Sequence, residues 1–510
     1  MTKQLVLATD IGTTSVRSMI YDADGTVFAR SQGLYPTLRP QPFYEEQDPD
    51  LVRNEVLQCM KQCVSAATMK GACTADEIKA VSFSSQMYSI LAIDNQGRAL
   101  TNSMLWSDGR AEYEVEEIRK EAGPLGWYQV TGCPPSSIFP IAKIRWIKNT
   151  LPEVNKVAVR FLSIKEYMLL AFIDEPVIDY SMASATGLFD IFNHRWSDDA
   201  VRTAGISQDQ LGRPVSGLEI FPIRKTKVLQ ELGLTSETVL ICGGGDGPLA
   251  NIGSGAGQVG AVNIDLGTSG AARVITDHAI TDENGSLWCF CLTEDRWAYG
   301  GILSNVGNAF DWIVRNITDY SGSQGLDMKS SGCKSLSPFA GEVPDGADGL
   351  VFLPYLRRAR SPYWDNRLQG ALLGLHAGHD IRHVVRALIE SIGYDLRSIL
   401  SLMETHTRML PDIILSGGIA RGDHIARILA DIIGKPLYIQ QDAEASLAGA
   451  AIMGLYALGL TDGLDFTNRT EAKGKLVLPQ QQVHQRYDSL YETYRHLVME
   501  YPRYMRGLEK

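Results

Sequence analysis

The sequence lacks an excess of basic residues. Its 510 residues include 48 Lys and Arg against 59 Asp and Glu, which gives a formal net charge of -11 at pH 7. Such a chain has no broad positive charge to attract the phosphates of a nucleic acid or an anionic membrane. We therefore expect neither nucleic acid nor a membrane among its partners.

A long apolar run near the N-terminus is also missing. The first apolar run extends only from Leu5 to Ala8 and is followed by Thr9 and Asp10. That length is far below what a signal peptide or a membrane span needs. The pattern predicts a cytoplasmic protein.

The cysteines lack a metal-binding pattern. No CxxC pair, the spacing typical of zinc and redox sites, occurs among the eight cysteines. Reduced thiols in the core are therefore expected, rather than disulfides or zinc ligands. The cysteines are Cys59, Cys63, Cys73, Cys133, Cys242, Cys289, Cys291 and Cys333.

What the sequence does contain is a repeat of its own opening. Residues 5–21, LVLATDIGTTSVRSMIY, are echoed by residues 260–276, GAVNIDLGTSGAARVIT. The matched aspartates, Asp10 and Asp265, lie half the chain length apart. Repetition at that distance indicates a duplicated fold.

The length supports the same division. A single hydrophobic core stops growing at roughly 250 to 300 residues, so 510 residues predict two large domains. We place the first domain at residues 1–252 and the second at residues 253–510.

Each copy of the repeat predicts two antiparallel strands joined by a tight turn at Asp-x-Gly-Thr. This opening differs from a dinucleotide-binding fold, because neither copy shows a three-glycine turn that leads into a helix. Turns with small side chains let backbone N-H groups approach phosphate, and Thr hydroxyls add donors. Asp10 could hold a hydrated Mg2+ that bridges phosphate oxygens. The alternative, two ordinary hairpin turns, is weakened by the repetition.

A third glycine signal follows an apolar run in the second half of the chain. Residues 412–420, DIILSGGIA, predict a buried strand that ends at Gly417 and Gly418 and leads into a helix. A flat ligand can approach the backbone closely at such a corner. Helices are predicted from Ile425 to Ile433 and from Glu444 to Leu458, and the second carries small residues that allow tight packing: Ala445, Ser446, Ala448, Gly449 and Ala450. A helix buried against its neighbour, with no ligand, is the alternative.

One carboxylate stands between glycines where the first half of the chain ends. Asp246 lies in Gly243-Gly244-Gly245-Asp246-Gly247, after an apolar run that predicts a strand. Phosphoryl transfer to an alcohol needs an acceptor for the hydroxyl proton and little other covalent chemistry. Asp246 is the candidate base. Alternatively, it caps a helix or forms an Asx turn.

These motifs together resemble the FGGY carbohydrate kinases, a family that includes glycerol, xylulose, ribulose and gluconate kinases. The resemblance spans nearly the whole chain. It implies an α/β fold of two ribonuclease H-like domains, of the actin, Hsp70 and hexokinase type, with ATP bound in a cleft. Further motifs fall in the family's order: Gln47-Asp48-Pro49, Trp106-Ser107-Asp108-Gly109-Arg110, Pro140-Ile-Ala-Lys143-Ile-Arg-Trp146 and Ser416-Gly417-Gly418.

The resemblance also implies roles for single residues. Asp246 matches the catalytic base, and Asp10 matches the carboxylate associated with Mg2+. The residues that match the family's nucleotide contacts are Thr13, Thr14, Gly267, Thr268, Gly307, Gly417 and Gly418.

The substrate is predicted from one short run and its neighbours. Gln86-Met87-Tyr88-Ser89 is similar to a Met-His-Ser version in gluconate kinases, although Tyr88 departs from the family's His. The resemblance therefore implies a sugar acid, D-gluconate, as the acceptor. Trp106 and Arg110 are further candidate substrate contacts, and Arg110 or Lys143 could bind the carboxylate. Alternatively, Arg110 and Lys143 are solvated surface residues or form ion pairs with neighbouring acids.

Alternatives remain in two classes. A neutral ketose or polyol such as xylulose would use the same cleft and base, and an actin-like or Hsp70-like ATPase would use the same scaffold. A second departure, Arg358-Ala359 in place of the family's Gly-Glu, leaves regulation and assembly open. A homodimer is compatible with the resemblance, and residues 480–504 predict a packed terminal helix.

Overall fold

The computed structural model describes residues 3–318, 336–409, 412–440, 444–466 and 474–505. It divides into two compact units, neither of them continuous in sequence. Unit 1 comprises Met1–Val259, Ile275–Tyr299 and Glu444–Glu471, and unit 2 comprises Gly260–Val274, Gly300–Ala443 and Ala472–Lys510. The predicted boundary after residue 252 stays a prediction.

The strands are numbered in chain order. They are β1 Leu5–Ile11, β2 Ser15–Tyr21, β3 Val27–Leu34, β4 Glu46–Gln47, β5 Ile78–Ser85, β6 Leu91–Ile93, β7 Ser103–Met104, β8 Arg160–Leu162, β9 Val177–Asp179, β10 Phe189–Asp190, β11 Arg195–Trp196, β12 Arg213–Val215, β13 Ile220–Pro222, β14 Val239–Gly245, β15 Val262–Leu266, β16 Gly270–Thr276, β17 Trp288–Thr293, β18 Arg296–Leu303, β19 Val351–Leu353, β20 Ala371–Leu373, β21 Ile413–Ser416, β22 Leu437–Ile439 and β23 Lys475–Val477.

The helices are numbered in the same way. They are α1 Pro49–Met69, α2 Glu112–Ala122, α3 Tyr128–Thr131, α4 Pro140–Thr150, α5 Pro152–Val157, α6 Ile164–Leu169, α7 Tyr180–Ser184, α8 Asp198–Thr203, α9 Thr226–Leu232, α10 Asp246–Gly253, α11 Gly307–Ile313, α12 Ile381–His406, α13 Asp423–Ile433, α14 Ala445–Ala457 and α15 Gln481–Met505. Short 3-10 turns lie at Ala75–Glu77, Gln208–Gln210, Ser337–Glu342, Ala347–Gly349 and Ile419–Arg421, and a π-helical turn at Val314–Thr318.

Unit 1 is built on a mixed sheet with the strand order β13-β14-β5-β1-β2-β3. Strands β1, β2 and β3 form the antiparallel meander that the sequence predicts, and β5 pairs in parallel with β1 on one side and with β14 on the other. In this register Asp10 lies opposite Arg17 on β2 and Ser84 on β5.

Strand β1 is buried on both faces because side chains alternate across a strand. Leu5 and Leu7 belong to the apolar cluster that includes α1, whereas Val6 packs with Leu455 of α14 on the other face. Helix α1 begins at Pro49, and the side chain of Asp48 caps it by accepting from the N-H groups of Asp50 and Leu51.

Helix α14 packs against α10 at very short range, as its small residues predict. A Cβ atom added to Gly449 would lie 2.0 Å from the backbone oxygen of Leu249. A Cβ atom added to Gly454 would lie 2.7 Å from Cγ1 of Val6. Larger residues at either position would separate α14 from the sheet and from α10.

Unit 2 repeats the same opening. Strands β15 and β16 form an antiparallel pair, β15 pairs with β21 in parallel, and β22 and β23 extend the sheet. Asp265 on β15 lies opposite Ala271 and Ser416, which is the arrangement of Asp10 on β1. The strand-turn-strand repeat is therefore confirmed.

The terminal helix predicted at residues 480–504 is observed as α15. Its Tyr494 hydroxyl donates to Oδ1 of Asp395 on α12 at 3.1 Å, and the hydroxyls of Tyr355 and Tyr363 donate to the same atom at 3.2 and 3.3 Å. Burial raises the pKa of Asp395 to about 7, although these three donors oppose the shift.

Two further expectations concern cysteines and membranes. The seven cysteines in the described ranges are buried free thiols, which agrees with the prediction of core thiols, and Cys333 lies outside those ranges. In the part of the chain that the structure describes, no helix has the length and apolar character needed to cross a membrane.

Candidate active site

The first Asp-x-Gly-Thr turn is held by its carbonyl groups. Gly12 N-H donates to Ser15 O at 2.9 Å, and the Tyr35 hydroxyl donates to Gly12 O and Ser15 O at 2.7 and 3.0 Å. The N-H groups of Thr13 and Thr14 have no hydrogen-bond partner in the described ranges. The turn therefore presents two free donors from a fixed backbone, as a phosphate site requires.

Asp10 lies just before this turn, and one of its carboxylate oxygens is unsatisfied. Its Oδ2 accepts from the Ser446 hydroxyl at 3.2 Å, whereas its Oδ1 is buried without a hydrogen bond in the described structure. Burial raises the pKa of Asp10, and Ser84, Arg17 and Ser446 counteract that shift. An orphaned carboxylate oxygen beside a phosphate-type turn fits a hydrated Mg2+ ion, since hard cations take oxygen ligands.

Gln86 is linked to the same turn through Gln47. The amide of Gln86 donates to Oε1 of Gln47 at 2.8 Å, and the amide of Gln47 donates to Thr13 O at 2.5 Å. Oε1 of Gln86 is buried and has no partner in the described ranges. The pair therefore connects the predicted substrate run to the predicted phosphate turn and leaves one acceptor for a hydroxyl.

Tyr88 adopts an unusual backbone conformation. Its φ angle is 66°, in the left-handed region, and Lys143 donates to its carbonyl oxygen at 2.9 Å. The ring of Tyr88 packs edge-on against Phe139 and Phe290, with centroids 5.6 and 6.1 Å away. Lys143 thus supports the Tyr88 turn in this structure, and a contact of Lys143 with a substrate carboxylate stays a prediction.

Arg110 lies among acids and aromatic rings. Its guanidinium donates to both carboxylate oxygens of Asp108 and to Glu46, and it stacks over the ring of Tyr44 at 3.7 Å. Only 5% of the Arg110 side chain is exposed. These ion pairs match the structural alternative for Arg110, whereas its contact with substrate stays a prediction. Trp106, four residues earlier, is partly exposed.

Asp246 is the first residue of α10 and is partly exposed. Its Oδ1 accepts from Gly247 N-H at 2.8 Å. The glycines before it are required by space, because a Cβ atom at Gly243 would lie 2.0 Å from Phe83 O and one at Gly245 would lie 2.7 Å from Cγ of Met87. Gly245 therefore brings the candidate base directly beside the predicted substrate run.

In unit 2, the second turn is fixed to the start of α11. Gly307 N-H donates to Gly267 O and Asn308 N-H donates to Thr268 O, both at 3.1 Å. A Cβ atom at Gly307 would lie 2.6 Å from Gly267 O, so only glycine fits there. The N-H of Thr268 has no partner in the described ranges and is free to contact a phosphate.

The glycine pair after β21 has two distinct properties. Gly417 has a φ angle of 95°, and a Cβ atom there would lie 2.3 Å from Leu266 O. A Cβ atom at Gly418 would meet no heavy atom of the described structure within 4 Å. Gly417 is thus required by the strand packing, and Gly418 borders open space, while its contact with a nucleotide stays a prediction.

Sequence reasoning assigned no role to three residues that the structure places at the site. Gln47 was visible only as part of a motif, Tyr35 follows β3 without a recognisable signal, and Ser446 was noted only for its small size. Ser446 reaches Asp10 across 436 residues of sequence. A single sequence contains no signal for a contact between such distant residues.

Comparison with known proteins identifies the class of protein to which the chain belongs. The family model described as "FGGY family of carbohydrate kinases, N-terminal domain" matches residues 5–253, and its C-terminal counterpart matches residues 262–458. The fold and the matched regions define a carbohydrate kinase, an enzyme that transfers a phosphoryl group to an alcohol. The chain belongs to the FGGY family, and the predicted two-domain fold of the actin, Hsp70 and hexokinase type is confirmed.

Three similar proteins illustrate the position of the chain within the family. A gluconokinase of Bacillus subtilis (strain 168) is 33% identical over 461 residues, which cover 90% of this chain and 89% of that protein. A xylulose kinase of the same strain is 24% identical over 494 residues, 96% of either chain. The crystal structure of gluconate kinase from Lactobacillus acidophilus aligns with a TM-score of 0.88 at 28% identity and covers 98% of this chain and 99% of that chain.

Proposed function

We propose that this kinase transfers the γ-phosphoryl group of ATP to a sugar acid, and that the acceptor is D-gluconate, which becomes 6-phosphogluconate. The higher identity to a gluconokinase than to a xylulose kinase supports the acid. Membership of a carbohydrate kinase family argues against the actin-like or Hsp70-like ATPase. A ketose kinase is the second candidate, because xylulose kinases also align along nearly the whole chain.

The observation that carries the proposed mechanism is the position of Asp246. Gly245, the residue before Asp246, packs against Met87, and Asp246 is partly exposed and therefore accessible. In the transfer step, the acceptor hydroxyl oxygen bonds to the γ-phosphorus while the bond to the bridging oxygen of ADP breaks. The hydroxyl proton moves to the Asp246 carboxylate.

The remaining contacts are divided between the units. In unit 1, Thr13 and Thr14 offer N-H donors to phosphate, and Asp10 would hold Mg2+ through its unpaired oxygen. Bound Mg2+ neutralises charge on the phosphate oxygens. In unit 2, the proposed nucleotide contacts are Gly267, Thr268, Gly307, Gly417 and Gly418.

The substrate contacts that we propose lie in unit 1. Oε1 of Gln86 has an unused lone pair for a sugar hydroxyl, and Tyr88 adds a phenol and an apolar ring face. Met87 and Trp106 would provide apolar surface. Arg110 would contribute through Nη1, since its hydrogen bonds to Asp108 and Glu46 use only Nε and Nη2.

Substrate choice is tested by an ADP-release assay with Mg-ATP against gluconate, xylulose, ribulose and glycerol. We expect gluconate to give the highest kcat/KM. Turnover of xylulose with none of gluconate would replace the sugar acid by a ketose while leaving the kinase assignment intact.

The base is tested with Asp246→Asn. Because general-base assistance contributes roughly 10²-fold to 10⁴-fold, kcat should fall by about that factor, while ATP affinity measured by calorimetry stays close to that of the unmodified enzyme. Asp198→Asn is a matched control, since Asp198 is likewise the first residue of a helix but is exposed and belongs to none of the proposed contacts. Near-normal turnover of Asp246→Asn would remove the base from the proposal.

A further inference from the structure

Three buried side chains behind Asp246 form a hydrogen-bonded group, Lys165, Asp179 and Ser181, which we call the Lys165 cluster. We propose that the Lys165 cluster positions Asp246 for proton transfer, so that its members act on the reaction through the backbone that carries the base. This inference rests on the proposed role of Asp246.

The cluster contacts both polar atoms of the peptide group between Gly244 and Gly245, directly before Asp246. Lys165 Nζ donates to Gly244 O at 3.2 Å, and the Ser181 hydroxyl accepts from Gly245 N-H at 2.8 Å. Asp179 holds the two together, because it accepts from Lys165 at 2.7 Å and from Ser181 at 2.5 Å. Each of the last two residues of β14 is therefore fixed by one hydrogen bond to the cluster.

These bonds lie at the end of β14, directly after an irregularity in its strand pairing. The parallel pairing of β14 with β5 shifts register between Ile241 and Gly244 and resumes only at the strand end. Gly243, inside that irregularity, has a φ angle of 66°. Glycines in an irregular strand are free to adopt many conformations, and the Lys165 cluster supplies the contacts that select one.

The elements that carry the cluster are themselves rigid. Lys165 lies in α6, which begins with a capping box in which Ser163 and Glu166 bond each other's backbone N-H groups. Asp179 caps α7, because its Oδ1 also accepts from Met182 N-H at 3.1 Å. The side chains of Lys165 and Asp179 are each 1% exposed, so both charges are shielded from solvent.

A buried ion pair is weak evidence for stability, since desolvation offsets most of the attraction between the charges. The ion pair affects geometry more than stability. Separating the two buried charges is costly, and the pair therefore keeps one arrangement. A displacement of about 1 Å at a reacting group can reduce the rate by roughly 100-fold. The cluster is therefore expected to affect the transfer step more than the binding of either substrate.

The direct test is Ser181→Ala, which removes the acceptor for Gly245 N-H and leaves the Lys165 and Asp179 charges paired. We expect kcat to fall about 10-fold to 100-fold, with KM for ATP and for the sugar changed less than threefold. Ser391→Ala is the matched control, because Ser391 is a buried serine in α12 that donates to the backbone of Phe352. That variant should keep the kcat of the unmodified enzyme.

A double variant separates positioning from a loss of packing. If Ser181 acts through Asp246, then Ser181→Ala should lower kcat little further once Asp246→Asn is present. Equal fold losses in both backgrounds, or a rise in KM that accounts for the whole effect of Ser181→Ala, would overturn the inference. A normal Asp246→Asn enzyme would instead refute the proposed base, so the two failures are distinguishable.

Asp179→Asn provides a second measurement that does not depend on Ser181. The amide keeps the size of the side chain but leaves the Lys165 charge without a carboxylate, so a lower kcat with nearly unchanged KM is again expected. Thermal unfolding gives the folded fraction of each variant, and kcat is calculated per folded enzyme. Normal kcat in folded Asp179→Asn enzyme would contradict the inference.

Discussion

The close contact between Gly245 and Met87 gives a prediction with a definite magnitude. A Cβ atom added at Gly245 would lie 2.7 Å from Cγ, 2.9 Å from Sδ and 3.1 Å from Cε of Met87, well inside the 3.4 Å at which ordinary contact begins. The backbone of Gly245 has φ -72° and ψ 148°, which alanine also adopts, so crowding is the only obstacle. Gly245→Ala should therefore lower the free energy of unfolding by about 1–3 kcal/mol, the range for an overpacked core.

The same crowding should reach the active site. Met87 is 4% exposed and has little room to move, so the added methyl should displace the run that contains Gln86 and Tyr88. We expect KM for the sugar to rise more than KM for ATP, as measured by initial rates with either substrate varied.

A double-variant cycle tests the cause. In the double variant Gly245→Ala/Met87→Ala, the shorter side chain at position 87 leaves space for the added methyl group. The losses in unfolding free energy of the two single variants should therefore sum to more than the loss of the double variant, by about 1 kcal/mol or more. Gly463→Ala is the matched control, because a Cβ atom there meets no described heavy atom within 4 Å. Strictly additive losses, measured by urea unfolding, would refute the reasoning.

Two further predictions concern buried polar groups. Gln47→Leu leaves the amide of Gln86 and the carbonyl of Thr13 unpaired, which costs about 1–3 kcal/mol for each group. KM for both substrates should therefore rise in steady-state assays. A change confined to one substrate would contradict the link between the two sites. For Asp395, whose pKa burial raises to about 7, the native state keeps a proton that the unfolded state releases near pH 4, so this residue lowers stability as the pH rises from about 4 to about 7. Asp395→Asn removes that dependence. The free energy of unfolding of the variant, measured relative to that of the unmodified enzyme by urea unfolding, should therefore be higher at pH 8 than at pH 5.5. An equal difference at both pH values would be inconsistent with a raised pKa.

The local parts of the fold were accessible from the sequence. The Asp-x-Gly-Thr turns, the antiparallel meander and α14 follow from patterns within about 20 residues, where turn chemistry and periodicity decide. The parallel pairing of β5 with β1 and with β14 was not predicted. Its partners are distant in sequence, and many apolar strands satisfy the same local rules.

The candidate site was likewise predictable only where the signal is local in sequence. Asp246 stood out because glycines surround it, and its position after β14 agrees with that pattern. The environment of Arg110 was hidden, since Glu46 reaches it only through the pairing of β4 with β7. The orphaned oxygen of Asp10 was likewise invisible, because it is a property of packing and not of residue type.

The discontinuity of unit 1 has a consequence for synthesis on the ribosome. Helix α14 covers one face of β1 and supplies the hydroxyl of Ser446 to Asp10, yet 436 residues separate these two residues along the chain. At about 5–20 residues per second, translation needs roughly 20 to 90 s to add that helix. Until then the nascent sheet exposes Val6, Ala80 and Ile241, and this face is the surface on which a folding chaperone would be expected to act.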